Sequence, residues 1–197
     1  MASAPKPLAV DEQRRLREAE LLLSVTSRLA SFETLDEVLV ALIEMTTETI
    51  GTERGSLFLN DPQAKELYSR VAQGNIQREI RILNDSGIAG AVFCSGEPLI
   101  IQDAYADPRF NRVVDERTGF KTRSILCVPI MTGRGEIIGV AETLNKRSGK
   151  FTRHDLALFS SMINQASLAI QSMQNLERMQ ALRKQEMEFI DVVTEVT

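Results

Sequence analysis

The chain has 197 residues, 43% of them hydrophobic, with a formal net charge of −4. That is enough for one domain with its own core, carrying helical extensions. The acidic balance provides no field for nucleic acid or an anionic membrane, no apolar run approaches the roughly 20 residues of a membrane span, and the polar start MASAPKPLAVDEQ is no secretory signal.

The chain then reads in order. Leu16, Ala19, Leu22, Leu23, Thr26 and Leu29 recur at spacings of three and four, the mark of an amphipathic helix. A second helix opens at Thr34, with Glu37 three residues on as in a capping box, and ends at Gly51. Ser56–Asn60, Leu67–Ala72 and Glu79–Leu83 are short runs separated by the turn signals DPQ, QGN and NDSG, so strands of an antiparallel sheet are expected. GIAGAVFCSGE predicts a short helix, with Asp85 or Ser86 as its cap, and PLIIQD another strand. Asp115 and Thr118 would share one face of a helical turn from Asn111 to Thr118, ended by Gly119. SILCVPIM and EIIGVAETLNK flank TGRG as a hairpin, and Pro129 requires an edge position or a bulge.

From Thr152 onward a long helix is expected. Met162, Ala166, Ala169, Met173 and Leu176 alternate steps of four and three along it. That stripe suits packing on the chain's own sheet or a seam between two chains. Phe189–Val196 also resembles Leu22–Leu29 in its apolar positions, as if a second module began there. The expected division is a linker and dimerisation helix at 1–31, a domain at 32–173 and a connecting helix at 174–197. Cys94 and Cys127 both sit in apolar company and are expected to be buried. With no CxxC pair and no Cys/His cluster, no metal and no cofactor is expected, and a cytoplasmic protein fits. His154, in the first turn of the last helix, is expected to be exposed. No nucleophile–base pair, phosphate loop or Gly-x-Ser-x-Gly string points to catalysis, so the chain reads as no enzyme.

Four strings carry a family resemblance: RGSLFL (54–59), GIAGAVFCSGEPLIIQDAYADPRFN (87–111), DERTGFKTRSILCVPI (115–130) and GEIIGVAETLNK (135–146). Together they resemble a GAF domain, an α+β fold with a central antiparallel sheet, flanking helices and long terminal helices. Asn145–Lys146, with Phe151 and Asp155 downstream, is similar to the Asn-Lys…Phe…Asp-Glu signature of the cyclic-nucleotide-binding branch, found in tandem in phosphodiesterases and bacterial adenylyl cyclases. Leu156 stands where that signature has Glu.

The resemblance implies a pocket. Ile88 and Ala89 match positions whose backbone amides meet the cyclic phosphate, a role that suits a helix N-terminus. Ser56, Asn111, Asp115, Thr118, Thr122 and Glu142 match pocket-lining positions. Ala72 and Gln73 stand where binders of the family place an aromatic residue and then an acidic one, so the stacking ring is missing there. Lys146 and Asp155 match a structural salt bridge. Neither cysteine has the neighbouring His of bilin-binding relatives, and two cysteines are too few for the relative that reduces methionine sulfoxide. The functional expectation is a sensory module that binds cAMP or cGMP, dimerises through its terminal helices and signals to an output domain. The alternative is a dimerisation and scaffolding module with a degenerate pocket or another ligand.

Overall fold

The computed structural model of the chain describes residues 10–72 and 80–195. Five helices are described: α1 (Val10–Leu29), α2 (Leu35–Ile50), α3 (Gly87–Ser95), α4 (Arg112–Thr118) and α5 (Arg153–Glu195). Six strands are β1 (Thr52–Asp61), β2 (Glu66–Ala72), β3 (Ile80–Leu83), β4 (Leu99–Ile101), β5 (Ile125–Met131) and β6 (Ile137–Lys146). The strands form one sheet in the order β3-β2-β1-β6-β5-β4, every neighbouring pair antiparallel.

Local sequence explains the elements. Thr34 is extended, accepts the Glu37 amide, and donates its own amide to the Glu37 carboxylate at 3.1 Å, so the capping box closes. Gly51 ends α2 in the left-handed region, at φ 72°. The buried stripe Leu35, Val38, Leu39, Leu42 then faces the sheet. Alternation along β1 sends Leu57 and Leu59 into a core under α1, α2 and α5. Phe58 goes to the opposite face, into a second core with α3, Ile125, Cys127 and Val140. The cavity opens on that second face.

Several expectations are corrected. The buried side of α1 is Val25 and Leu29, with Leu21 and Leu22 packed beside them; Leu16 and Leu23 are exposed and so is Thr26. Cys94 is exposed at the end of α3, whereas Cys127 is buried in the sheet. Pro129 lies in a strand paired on both sides, but β4 spans only the partners of Ile125–Cys127. The side of β5 at Pro129 is therefore unpaired, which accommodates the missing amide, and an irregularity follows between Ile130 and Met131. In α5, Met162 and Ala166 are buried against the chain's own core, and Ala169 and Met173 pack on it. Beyond them Leu176, Met179, Leu182 and Met187 are exposed. The possible repeat at Phe189–Val196 falls on side chains outside the described residues. No described helix is long and apolar enough to cross a membrane.

Candidate functional site

The cavity is built on the sheet face opposite the three long helices. Its floor comes from Ser56 and Phe58 of β1, Ile125 of β5, and Glu142 and Leu144 of β6. Ile80 and Ile82 of β3 form one side, and Ser86 to Ala89 at the start of α3 form another. Asn111, Val114, Asp115 and Thr118 of the α4 segment, followed by Phe120 and Thr122, close over it. The cavity volume is about 120 Å³.

Eight of the ten expected pocket residues line this one cavity: Ser56, Ile88, Ala89, Asn111, Asp115, Thr118, Thr122 and Glu142. Ala72 pairs with Ser56 in the β1–β2 register but is not among the lining residues. Gln73 lies outside the described residues. Sequence reading missed Arg54, Phe110 and Phe120, which also line the cavity. Arg54 precedes Ser56 by two, so strand alternation was the available signal. Its guanidinium lies 4.0 Å from the centroid of the Phe120 ring. Phe110 packs at 5.3 Å against Tyr105.

The lid is held by its own polar groups. Asn111 accepts the Val113 amide at 3.0 Å and so caps α4, and Gly119 at φ 66° ends it. Thr118 donates to the Val114 carbonyl at 2.8 Å. Asp115 is buried and accepts three hydrogen bonds: from the Thr122 hydroxyl at 2.7 Å, the Thr122 amide at 2.6 Å and the Tyr105 hydroxyl at 3.1 Å. Asp115 and Thr122 thus close the α4 turn onto β5 as well as facing the cavity. At α3, Ser86 is the cap by backbone position, yet its side chain makes no capping bond. The first-turn amides are left for other acceptors. Gly90 has the packing role: a Cβ there would lie 2.5 Å from the Asp85 carbonyl carbon.

Glu142 sits at the centre of the floor, opposite Ser56 on β1 and Cys127 on β5. It is half-buried, because it borders the cavity. Burial pushes that carboxyl up to about 7, while the hydrogen bond from the Cys127 thiol pulls the other way. The Cys127 thiol is itself pushed well up, by burial first and then by the Glu142 charge, so it stays protonated and inert.

Behind the cavity, Lys146 donates to Asp155 at 2.7 Å and to the Ile50 carbonyl at the end of α2. Both side chains of the pair are mostly buried. Burial raises the Asp155 carboxyl, but the hydrogen bonds from Lys146 and Thr152 more than offset it and hold it below its ordinary value. His154 is exposed, 3.9 Å from Glu18.

Comparison with known proteins places this geometry in context. The family model described as GAF domain matches residues 34–170. The chain is 31% identical over 205 residues to the dual 3',5'-cyclic-AMP and -GMP phosphodiesterase 11 of Drosophila melanogaster, covering 95% of this chain and 14% of that protein. It is 35% identical over 174 residues to the probable 3',5'-cyclic phosphodiesterase pde-5 of Caenorhabditis elegans, covering 82% and 24% respectively. The chain therefore spans a quarter or less of the length of these relatives. Among solved structures, the GAF domain from a phosphoenolpyruvate-protein phosphotransferase of Coxiella burnetii superposes with a TM-score of 0.73 at 19% identity, over 83% of this chain and 98% of that one.

Proposed function

The chain belongs to the GAF family, and from that premise we propose that it is a regulatory module whose cavity takes a cyclic nucleotide, cAMP or cGMP. The observation that carries this reading is the convergence of eight expected residues on one cavity. The open amides of Ile88 and Ala89 suit the cyclic phosphate. Phe110 and Phe120 supply rings that compensate for Ala72, and base stacking on a ring contributes about 1–3 kcal/mol. Glu142 and Ser56 offer polar groups to the purine edge or ribose. Occupancy would alter the lid and, through α5, an output domain such as the catalytic part of a phosphodiesterase or adenylyl cyclase, in the cytoplasm. The coupling needs a ligand that favours one helix arrangement over another.

Titration calorimetry of the purified chain with cAMP and cGMP tests the reading. Saturable heat with either is expected; no heat and no competition at millimolar ligand would refute it. A second reading, a dimerisation and scaffolding module, is favoured by the exposed Leu176, Met179, Leu182 and Met187 on α5 and by Leu16 and Leu23 on α1. A monomer by light scattering at micromolar concentration would remove it. The two readings are compatible, because one domain can bind a ligand and pair with a second copy.

A further inference from the structure

Side chains cross the floor of the cavity in rows, because residues directly opposite in an antiparallel sheet share a face. Arg54 of β1, Leu144 of β6 and Ile125 of β5 form the first row, and all three line the cavity. Ser56, Glu142 and Cys127 form the second. Phe58 and Val140 form a third, packed under α3. The first row meets the end of the lid, where the Arg54 guanidinium stands 4.0 Å from the centroid of the Phe120 ring. The charged side chains lining the cavity are Arg54, Asp115 and Glu142. Asp115 is already engaged by Thr122 and Tyr105. Among the described residues neither Arg54 nor Glu142 has an ion pair, and the hydrogen bond to Glu142 comes from the uncharged Cys127 thiol.

We propose that Arg54 is a positioning residue with two alternative partners: it latches the lid through the face of Phe120, and when that ring moves away it turns to Glu142. Arg54 and Glu142 are diagonal neighbours, because Arg54 faces Leu144 and Ser56 faces Glu142. Diagonal neighbours on one face lie about 7–8 Å apart, within reach of a long side chain. The first partner holds the lid by the attraction between a guanidinium and a ring face. The second is a carboxyl that no cation yet neutralises. A charge left without a partner in a half-buried site is costly, so release from Phe120 favours the pairing. The closed and open lid thus differ in which side chain holds one cation. Glu142 records the difference: burial raises its carboxyl to about 7, and an arginine beside it would bring that value down. The latch requires no particular ligand, so its test uses the ligand-free chain and stands apart from the cyclic-nucleotide reading.

Two measurements separate the partners: hydrogen exchange at the amides of 118–122, and the titration midpoint of Glu142 followed at its side-chain carboxyl carbon by NMR. Phe120→Leu removes the ring and frees Arg54. Expected are exchange about fivefold faster at 118–122 and a Glu142 midpoint lower by about one unit. Arg54→Gln removes the cation. Expected are the same gain in exchange and no fall in the midpoint. The combined variant should exchange no faster than either single one and should lose the fall in midpoint, because the shared cation is gone. Phe120→Tyr keeps the ring face and should match the unmodified chain in both measurements. The other titratable groups facing Glu142, Asp115 from α4 and Cys127 from β5, are retained in every variant. An unchanged Glu142 midpoint in Phe120→Leu would overturn the exchange of partners. Additive gains in exchange in the combined variant would overturn the latch. Should Phe120→Leu fail to fold, Arg54→Lys serves instead: an ammonium stacks less well on a ring yet still pairs with a carboxylate, so faster lid exchange with a lowered midpoint is expected.

Discussion

Asp115 illustrates how one residue carries two demands. It faces the cavity, yet its carboxylate already accepts from Thr122 twice and from Tyr105 once. Its removal leaves the buried Thr122 amide without a partner, and such a loss costs about 1–3 kcal/mol. Asp115→Ala should therefore lower stability by that order in urea denaturation, as well as weakening any ligand. From sequence Asp115 was expected only to line a pocket; its pairing within the lid was invisible, because Asp115 and Thr122 meet only when the chain turns back after Gly119. Glu142 offers a pH test. Its folded carboxyl titrates near 7, above its unfolded value. Its contribution is complete below the unfolded pKa and is lost as pH rises through about 7, because the folded protein then holds a buried negative charge. Linkage limits that loss to about 3 kcal/mol, and cavity water reduces it further. The unmodified chain should lose stability between pH 5 and pH 7, and Glu142→Gln should flatten that fall, measured by denaturation midpoints across the range.

At the scale of elements, the cavity depends on how α3 meets the preceding loop. Gly90 lets the helix turn against Asp85, and a Cβ at 2.5 Å from that backbone has nowhere to go. Gly90→Ala should shift the Asp85–Ser86 loop and cost about 1–3 kcal/mol by overpacking, read as a lower melting temperature. It should also weaken cyclic-nucleotide binding, because the same loop borders the cavity. The capping box of α2 was legible in full, since Thr34 and Glu37 interact within one turn. The α4 turn was equally legible from Asn111 and Gly119. The facing of α1 was not. Leu22 and Leu23 are both apolar, and only contact with α5 and α2 decides that Val25 turns in and Leu23 out.

At the scale of the molecule, α5 does two things along its length. Its first half closes the core through Phe159, Met162, Ala166 and Ile170. Its second half leaves the domain with Leu176, Met179, Leu182 and Met187 exposed. Four exposed apolar side chains on one helix favour a partner surface. Light scattering should give a dimer for the unmodified chain, and Leu176→Glu with Met179→Glu should shift the mass toward monomer while leaving the melting of the core nearly unchanged. An unmodified chain that is already monomeric would contradict this.

Sequence alone determined the strand and helix periodicities, the α2 cap, the α4 stop, the family, and most of the residues that share the cavity. These rest on local chemistry: spacing on one face, a side chain reaching an amide three residues away, and strings long enough to be recognised. Tertiary structure decided what those residues are committed to. It joined Asp115 to Thr122, set Glu142 against Cys127, placed Phe110 and Phe120 in the cavity wall, and tied Asn145 to the chain entering β5. Such pairings join residues far apart in the chain, and burial then changes their chemistry; neither closure nor burial exists until the sheet has formed.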